Sequence, residues 1–208
     1  MFSLTESLIR KLFQHKELEG IAVKPAMSGG WSACLQTLEG HNHAVTFVTY
    51  SHDSRKLASA SSDETVKLWD ASSGACLQTY KGHSSFVKSV AFSHDSTKLA
   101  SASHDSTVKL WDVSSDKCLQ TYTGYSDTVT SVAFSHDSTK LASASHDSTV
   151  KLWDASSGAC LQTLNIGRTL HSLSFDPTDS CLHTEIGTVV ISIPKTLSEV
   201  TAAEGEPP

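Results

Sequence analysis

The sequence predicts an all-β fold built from stacked, copied units of four short strands each. Three observations carry this. Leu-Trp-Asp occurs at Leu68-Trp69-Asp70, Leu110-Trp111-Asp112 and Leu152-Trp153-Asp154, 42 residues apart both times. Ser89 to Asp112 and Ser131 to Asp154 read the same 24 residues, SVAFSHDSTKLASASHDSTVKLWD. Within each copy, alternating and β-branched segments are separated by Ser, Asp and Gly clusters. A fixed period of this size marks supersecondary units, each too small to bury its own apolar face. An array of copies argues for a surface that binds something and against a single catalytic pocket.

The elements follow in order. Ser3 to about Leu18 is the one helical candidate. Ser3 and Glu6 have capping-box spacing, and Leu4, Leu8, Leu12 with Phe2, Ile9, Phe13 form an apolar face. Residues 1–30 therefore read as an amphipathic helix and linker, packed on the array. Three units follow at about 41–82, 83–124 and 125–166. In the second, Phe86 to Phe92, Lys98 to Ser103, Thr107 to Trp111 and Lys117 to Tyr122 read as the four strands. A degenerate fourth unit, 167–193, offers three strands at Arg168–Phe175, Ser180–Thr184 and Thr188–Ile193. Residues 31–194 thus form the array, and 195–208 read as a disordered tail. Ala33 to Leu38 matches the fourth strand of the other units. It is expected to complete the last unit and tie the two ends together. An open arc and two chains sharing one ring are the alternatives.

Gly40-His41 and Gly82-His83, each followed 28 residues later by Trp-Asp, resemble the WD-repeat β-propeller family. The resemblance implies a propeller or part-propeller of about four blades. It also implies a buried network in each blade: His41, Ser59, Asp63 and Trp69, then His83, Ser101, Asp105 and Trp111. The third blade keeps Ser143, Asp147 and Trp153 but has Tyr125 in place of the His. The chemistry is plain. An indole N–H only donates and needs an acceptor, and the Asp holds the His in one tautomer. The run from Arg10-Lys11-Leu12-Phe13-Gln14-His15 through Lys24-Pro25-Ala26-Met27 to Trp31–Leu38 is similar to the junction before the repeats in fungal NACHT–WD proteins, NLR-like sensors of the vegetative-incompatibility type. Leu164–Arg168 and Leu173–Thr178 are similar to their C-terminal end. No Gly-x-x-x-x-Gly-Lys-Ser/Thr loop is present.

Composition sets further bounds. No apolar run approaches the ~18 residues of a membrane span, and the N-terminus lacks a secretory-signal pattern. Five Cys include Cys34, Cys76, Cys118 and Cys160 at intervals of 42. They are expected as free thiols on separate blades, in the cytoplasm. The net charge of −6, with Lys scattered singly, offers no footprint for nucleic acid.

Two constellations invite chemistry and neither supports it. Ser-His-Asp-Ser recurs at Ser51–Ser54, Ser93–Ser96, Ser103–Ser106, Ser135–Ser138 and Ser145–Ser148, but as neighbours on copied turns. A hydrolase triad converges from separate segments on an oxyanion hole. His104 and His146 sit on equivalent turns without a third metal ligand. No catalytic residue, metal or cofactor is expected.

The informative positions are those where matching copies differ. These are Ala44, Phe86 and Thr128; Thr46, Lys88 and Thr130; and Ser62, His104 and His146. The resemblance places all nine on the top face around the central opening, as a partner-binding surface. Phe86 and Lys88, two residues apart on one strand, are expected to share a face, with Phe86 as the anchor. The sequence therefore reads as a non-catalytic protein-interaction module, a ligand- or partner-sensing region of a fungal NLR-like protein. The alternatives are a constitutive scaffold subunit and a truncated gene fragment. The expected partners are proteins, with self-association to complete a propeller.

Overall fold

The computed structural model describes residues 36–191. The helix expected at Ser3–Leu18, the tail at 195–208 and the Ala33–Leu35 half of the closing strand lie outside them. Among the described residues the chain is all-β, with fifteen strands in four antiparallel sheets.

The first blade holds β1 (Val45–Tyr50), β2 (Lys56–Ser61), β3 (Val66–Asp70) and β4 (Cys76–Tyr80). The second holds β5 (Val87–Phe92), β6 (Lys98–Ser103), β7 (Val108–Asp112) and β8 (Cys118–Tyr122). The third holds β9 (Val129–Phe134), β10 (Lys140–Ser145), β11 (Thr149–Asp154) and β12 (Cys160–Asn165). The fourth has three strands, β13 (Leu173–Phe175), β14 (Cys181–Thr184) and β15 (Gly187–Val190). Each is a meander in sequence order. The turns are built by side chains: Asp95 Oδ1 accepts from Ser93 Oγ at 2.6 Å and from the Thr97 amide at 3.0 Å. Asp53 and Asp137 repeat this arrangement. Such turns let Ser54, Ser96 and Ser138 adopt positive φ.

The core lies between blades. Ala58, Ala60, Val66, Leu68 and Tyr80 of one blade pack on Val87, Val90, Phe92, Leu99 and Trp111 of the next. The same set recurs between the second and third blades. Small Ala residues on β2, β6 and β10 let the next sheet approach closely. No blade buries this surface alone, so the blades are energetically one array.

One expectation needs correction. The first strand of the fourth blade is only Leu173–Phe175, much shorter than 168–175. The Glu185 carboxylate accepts the His171 and Ser172 amides at 2.7 and 3.1 Å, so these donors have a side-chain partner and not a strand. The closing strand is only half described. Gln36–Leu38 is in no strand, and the last sheet has three strands among the described residues. Gln36 lies over Gly74 of the β3–β4 turn, as Gln120 lies over Gly158 of the β11–β12 turn. It thus occupies, beside the first blade, the place of a preceding blade's outer strand. Val45 is 52% exposed, whereas its counterparts Val87 and Val129 are fully buried, so among the described residues no blade covers β1 as its neighbours cover β5 and β9.

Candidate functional site

The buried networks come first because they fix the blade geometry. His41 Nδ1 lies 2.8 Å from Asp63 Oδ2, and His41 Nε2 lies 2.7 Å from Ser59 Oγ. Trp69 Nε1 donates to that same oxygen at 2.8 Å. His83, Asp105, Ser101 and Trp111 repeat this at 2.7, 2.8 and 2.8 Å. A carboxylate only accepts, so Nδ1 carries the proton and Nε2 takes the Ser hydroxyl. Asp105 also accepts from the Ser84 and Thr107 amides and from Thr107 Oγ1. Burial pushes its pKa up, but the bonds from His83, Thr107 and Ser84 outweigh this and hold it far below the usual carboxylate range.

The third blade solves the problem differently. The Tyr125 hydroxyl bonds Ser143 Oγ, and Trp153 Nε1 donates to both oxygens, at 3.0 and 2.8 Å. Asp147 keeps the Ser126 and Thr149 amides and Thr149 Oγ1, without an imidazole. Burial raises the Tyr125 pKa, so the phenol stays neutral.

The candidate surface lies where the first strands of the blades meet. Thr46, Phe47, Lys88, Thr130, His146 and His171 line one cavity of about 480 Å³. Its placement follows from a copied irregularity. Strand pairing skips between Val45 and Phe47, between Val87 and Ser89, and at Thr130 opposite the Ala144/Ser145 step. Thr46, Lys88 and Thr130 are therefore the extra residues of β-bulges. A bulge re-aims a side chain out of the strict up-down alternation.

The bulge also separates Phe86 from Lys88. Alternation would put them on one face, but Phe86 precedes β5 and does not line the cavity. Phe86 is 47% exposed, and its ring centroid stands 6.1 Å from that of His104. Of the nine divergent positions, Thr46, Lys88, Thr130 and His146 line the cavity. Ala44, Ser62, Phe86, His104 and Thr128 do not. The Ser62, His104 and His146 amides donate within their blades to the carbonyls of Ala44, Phe86 and Thr128. Thr128 and Thr130 are buried, at 2% and 9%.

Two cavity residues were missed from sequence. Phe47 stands where the other copies have Ser89 and Ser131, so comparing the copies one position further along would have flagged it. His171 sits in the degenerate blade, whose register is hidden by its shortened turns. Its ring meets that of His146 edge-on at 5.8 Å. No cluster of three or more His, Cys, Asp or Glu placed to hold a metal occurs among the described residues.

The WD domain, G-beta repeat pattern matches residues 32–70, 74–112 and 116–154. The chain belongs to the WD40 repeat family. Each match runs from the fourth-strand segment of one blade through three strands of the next, consistent with Gln36 beside the first blade. A stretch of 74 residues of this WD40 chain is 49% identical to Vegetative incompatibility protein HET-E-1 of Podospora anserina, covering 36% of the chain and 6% of that protein. The Notchless protein homolog of Arabidopsis thaliana is 54% identical over 37 residues, 18% of the chain and 8% of that protein. Protein Mut11 of Chlamydomonas reinhardtii is 51% identical over 41 residues, 20% of the chain and 11% of that protein. The chain thus matches a small part of each curated relative. The solved structure of U3-55K superposes with a TM-score of 0.67 at 29% identity, over 72% of this chain and 47% of that one.

Proposed function

We propose that this chain is a non-catalytic protein-interaction module whose partner docks at the cavity lined by the β1, β5 and β9 bulge residues. One observation carries the reading. The copied bulge position faces a shared cavity, and there one copy places Lys88 where the other two keep Thr46 and Thr130. The framework is held constant while the surface varies, which is how a repeat array acquires a ligand. The likeness to HET-E-1 supports a sensing role of the fungal NLR-like kind. Exposed, unpaired Cys76, Cys118 and Cys160 on three separate blades support a reducing, cytoplasmic setting.

A constitutive scaffold is the second reading. The uncovered first blade favours it, because Val45, Phe47, Val48 and Tyr50 present a contiguous apolar strand to solvent. Affinity capture from the source cell separates the two sites. Wild type is compared with Lys88→Ala/His171→Ala at the cavity and Phe86→Ala outside it. Loss of specific partners with the cavity pair alone is expected. Identical partners in identical amounts from all three would remove the cavity as the docking site.

A further inference from the structure

Lys88 is the exception in an otherwise structural series. Thr46 Oγ1 donates to the Val87 carbonyl at 2.6 Å, tying the first blade to the second. Thr130 Oγ1 donates to the Leu170 carbonyl at 2.5 Å, tying the third blade to the fourth. The equivalent tie between the second and third blades would run from residue 88 to the Val129 carbonyl. A lysine stands there, the side chain lines the cavity, and it makes no ion pair among the described residues. The copy has given up a hydroxyl tie and gained an uncompensated ammonium.

Its surroundings define the chemistry. His146 and His171 add imidazole donors across the same space, and Phe47 supplies an apolar wall. No carboxylate lines the cavity among the described residues. The nearby Glu185 carboxylate is engaged by the His171 and Ser172 amides. An ammonium and two imidazoles lining one cavity, with no acid in its lining among the described residues, make a site for an anionic group, held by charge-assisted hydrogen bonds.

We infer that the cavity is an anion subsite, in which Lys88, His146 and His171 hold a carboxylate or phosphate projecting from the docked protein. The inference rests on the docking reading above and names the chemistry of the group that enters. Both sources present oxygen acceptors to the same three side chains.

The test follows the ring resonances of His146 and His171 by NMR on the intact chain at low salt. The probes are inorganic phosphate, N-acetylglutamate amide, and the neutral control N-acetylglutamine amide. Saturable shifts are expected with one or both anions and none with the neutral control. Phosphate alone would point to a phosphorylated side chain, and acetylglutamate alone to an acidic one. Added salt should weaken binding through screening. Lys88→Thr should weaken it by about tenfold or more. That variant restores the missing tie, so its melting temperature should hold or rise, which separates lost binding from lost folding. Equal shifts with the neutral probe, no saturable shift with either anion, or full binding by Lys88→Thr would overturn the inference. Absence of anion binding alongside partner capture that still depends on the cavity would sink this inference and leave the docking reading standing.

Discussion

Thr130 Oγ1 donates to the Leu170 carbonyl, 2.5 Å across the seam between the third and fourth blades. The same hydroxyl reaches the Ala144 carbonyl of its own blade at 3.0 Å. With one proton to give, this bulge residue serves the nearer Leu170 acceptor, and the Ala144 oxygen at most shares it. This seam is the weakest by sequence, since the fourth blade keeps neither the Trp of the other three nor the network His of the first two.

Thr130→Val keeps the shape and removes the hydroxyl. Leaving the Leu170 acceptor buried without that donor should cost about 1–3 kcal/mol. The loss should appear first in the fourth blade. Amide hydrogen exchange should accelerate over β13–β15 before it does over β5–β8. Uniform acceleration through all four blades would show that this seam is no weaker than the rest.

Asp105 and Asp147 occupy equivalent turns with unequal partners. Both accept from a Thr hydroxyl and from two amides, but only Asp105 also has an imidazole, His83 Nδ1 at 2.7 Å. A hydrogen bond involving a charged group is worth about 1.5–3 kcal/mol. Asp105→Ala should therefore destabilise the protein more than Asp147→Ala, by about 1–2 kcal/mol in urea unfolding. Equal losses would mean that the His83 bond contributes nothing net.

Much of this architecture was legible from the chain. Trp69, Trp111 and Trp153 set the period, and the network partners follow from the donor and acceptor inventory of Trp, Ser, His and Asp. What period and alternation could not reveal is local. A β-bulge has no strong sequence signature, so Lys88 and Phe86 read as neighbours on one face when the extra residue parts them. The fourth blade was harder still. Its short turns shift the register, which hid His171 opposite Thr130. Gln36 was readable as a fourth strand by its match to Gln78 and Gln120. Which blade it would flank depends on ring geometry, and that is not a local property.

Gly82 and Gly124 both precede a first strand with positive φ, +147° and +101°. A Cβ on Gly82 would stand 3.3 Å from Trp111 Cη2, whereas one on Gly124 would meet nothing within 4 Å. Backbone strain of about 1–3 kcal/mol applies to both alanine variants. Gly82→Ala must also displace a buried indole, so it should melt lower than Gly124→Ala. The reverse order in thermal unfolding would show that the Trp111 contact yields freely.

His52, His94 and His136 stand on copied turns of three successive blades, with ring centroids 4.2 and 5.8 Å apart. Desolvation, then the charges that His94 and His136 acquire, lower the His52 pKa below its ordinary value. Asp179 Oδ1 lies 3.1 Å from His136 Nδ1 at the far end of the row. The linkage has one sign. Between the folded pKa and the unfolded value of 6.5, the unfolded chain binds more protons at this site. The stability at stake in His52 is therefore fully present above that value and is lost as pH falls towards the folded pKa. The effect is modest because the rings are exposed and solvent screens them. His52→Gln should flatten the fall in melting temperature on acidification from about pH 7 to pH 5, a window set by the ordinary His range. If that variant and the wild type give superimposable melting curves across that range, the imidazoles do not interact enough to matter.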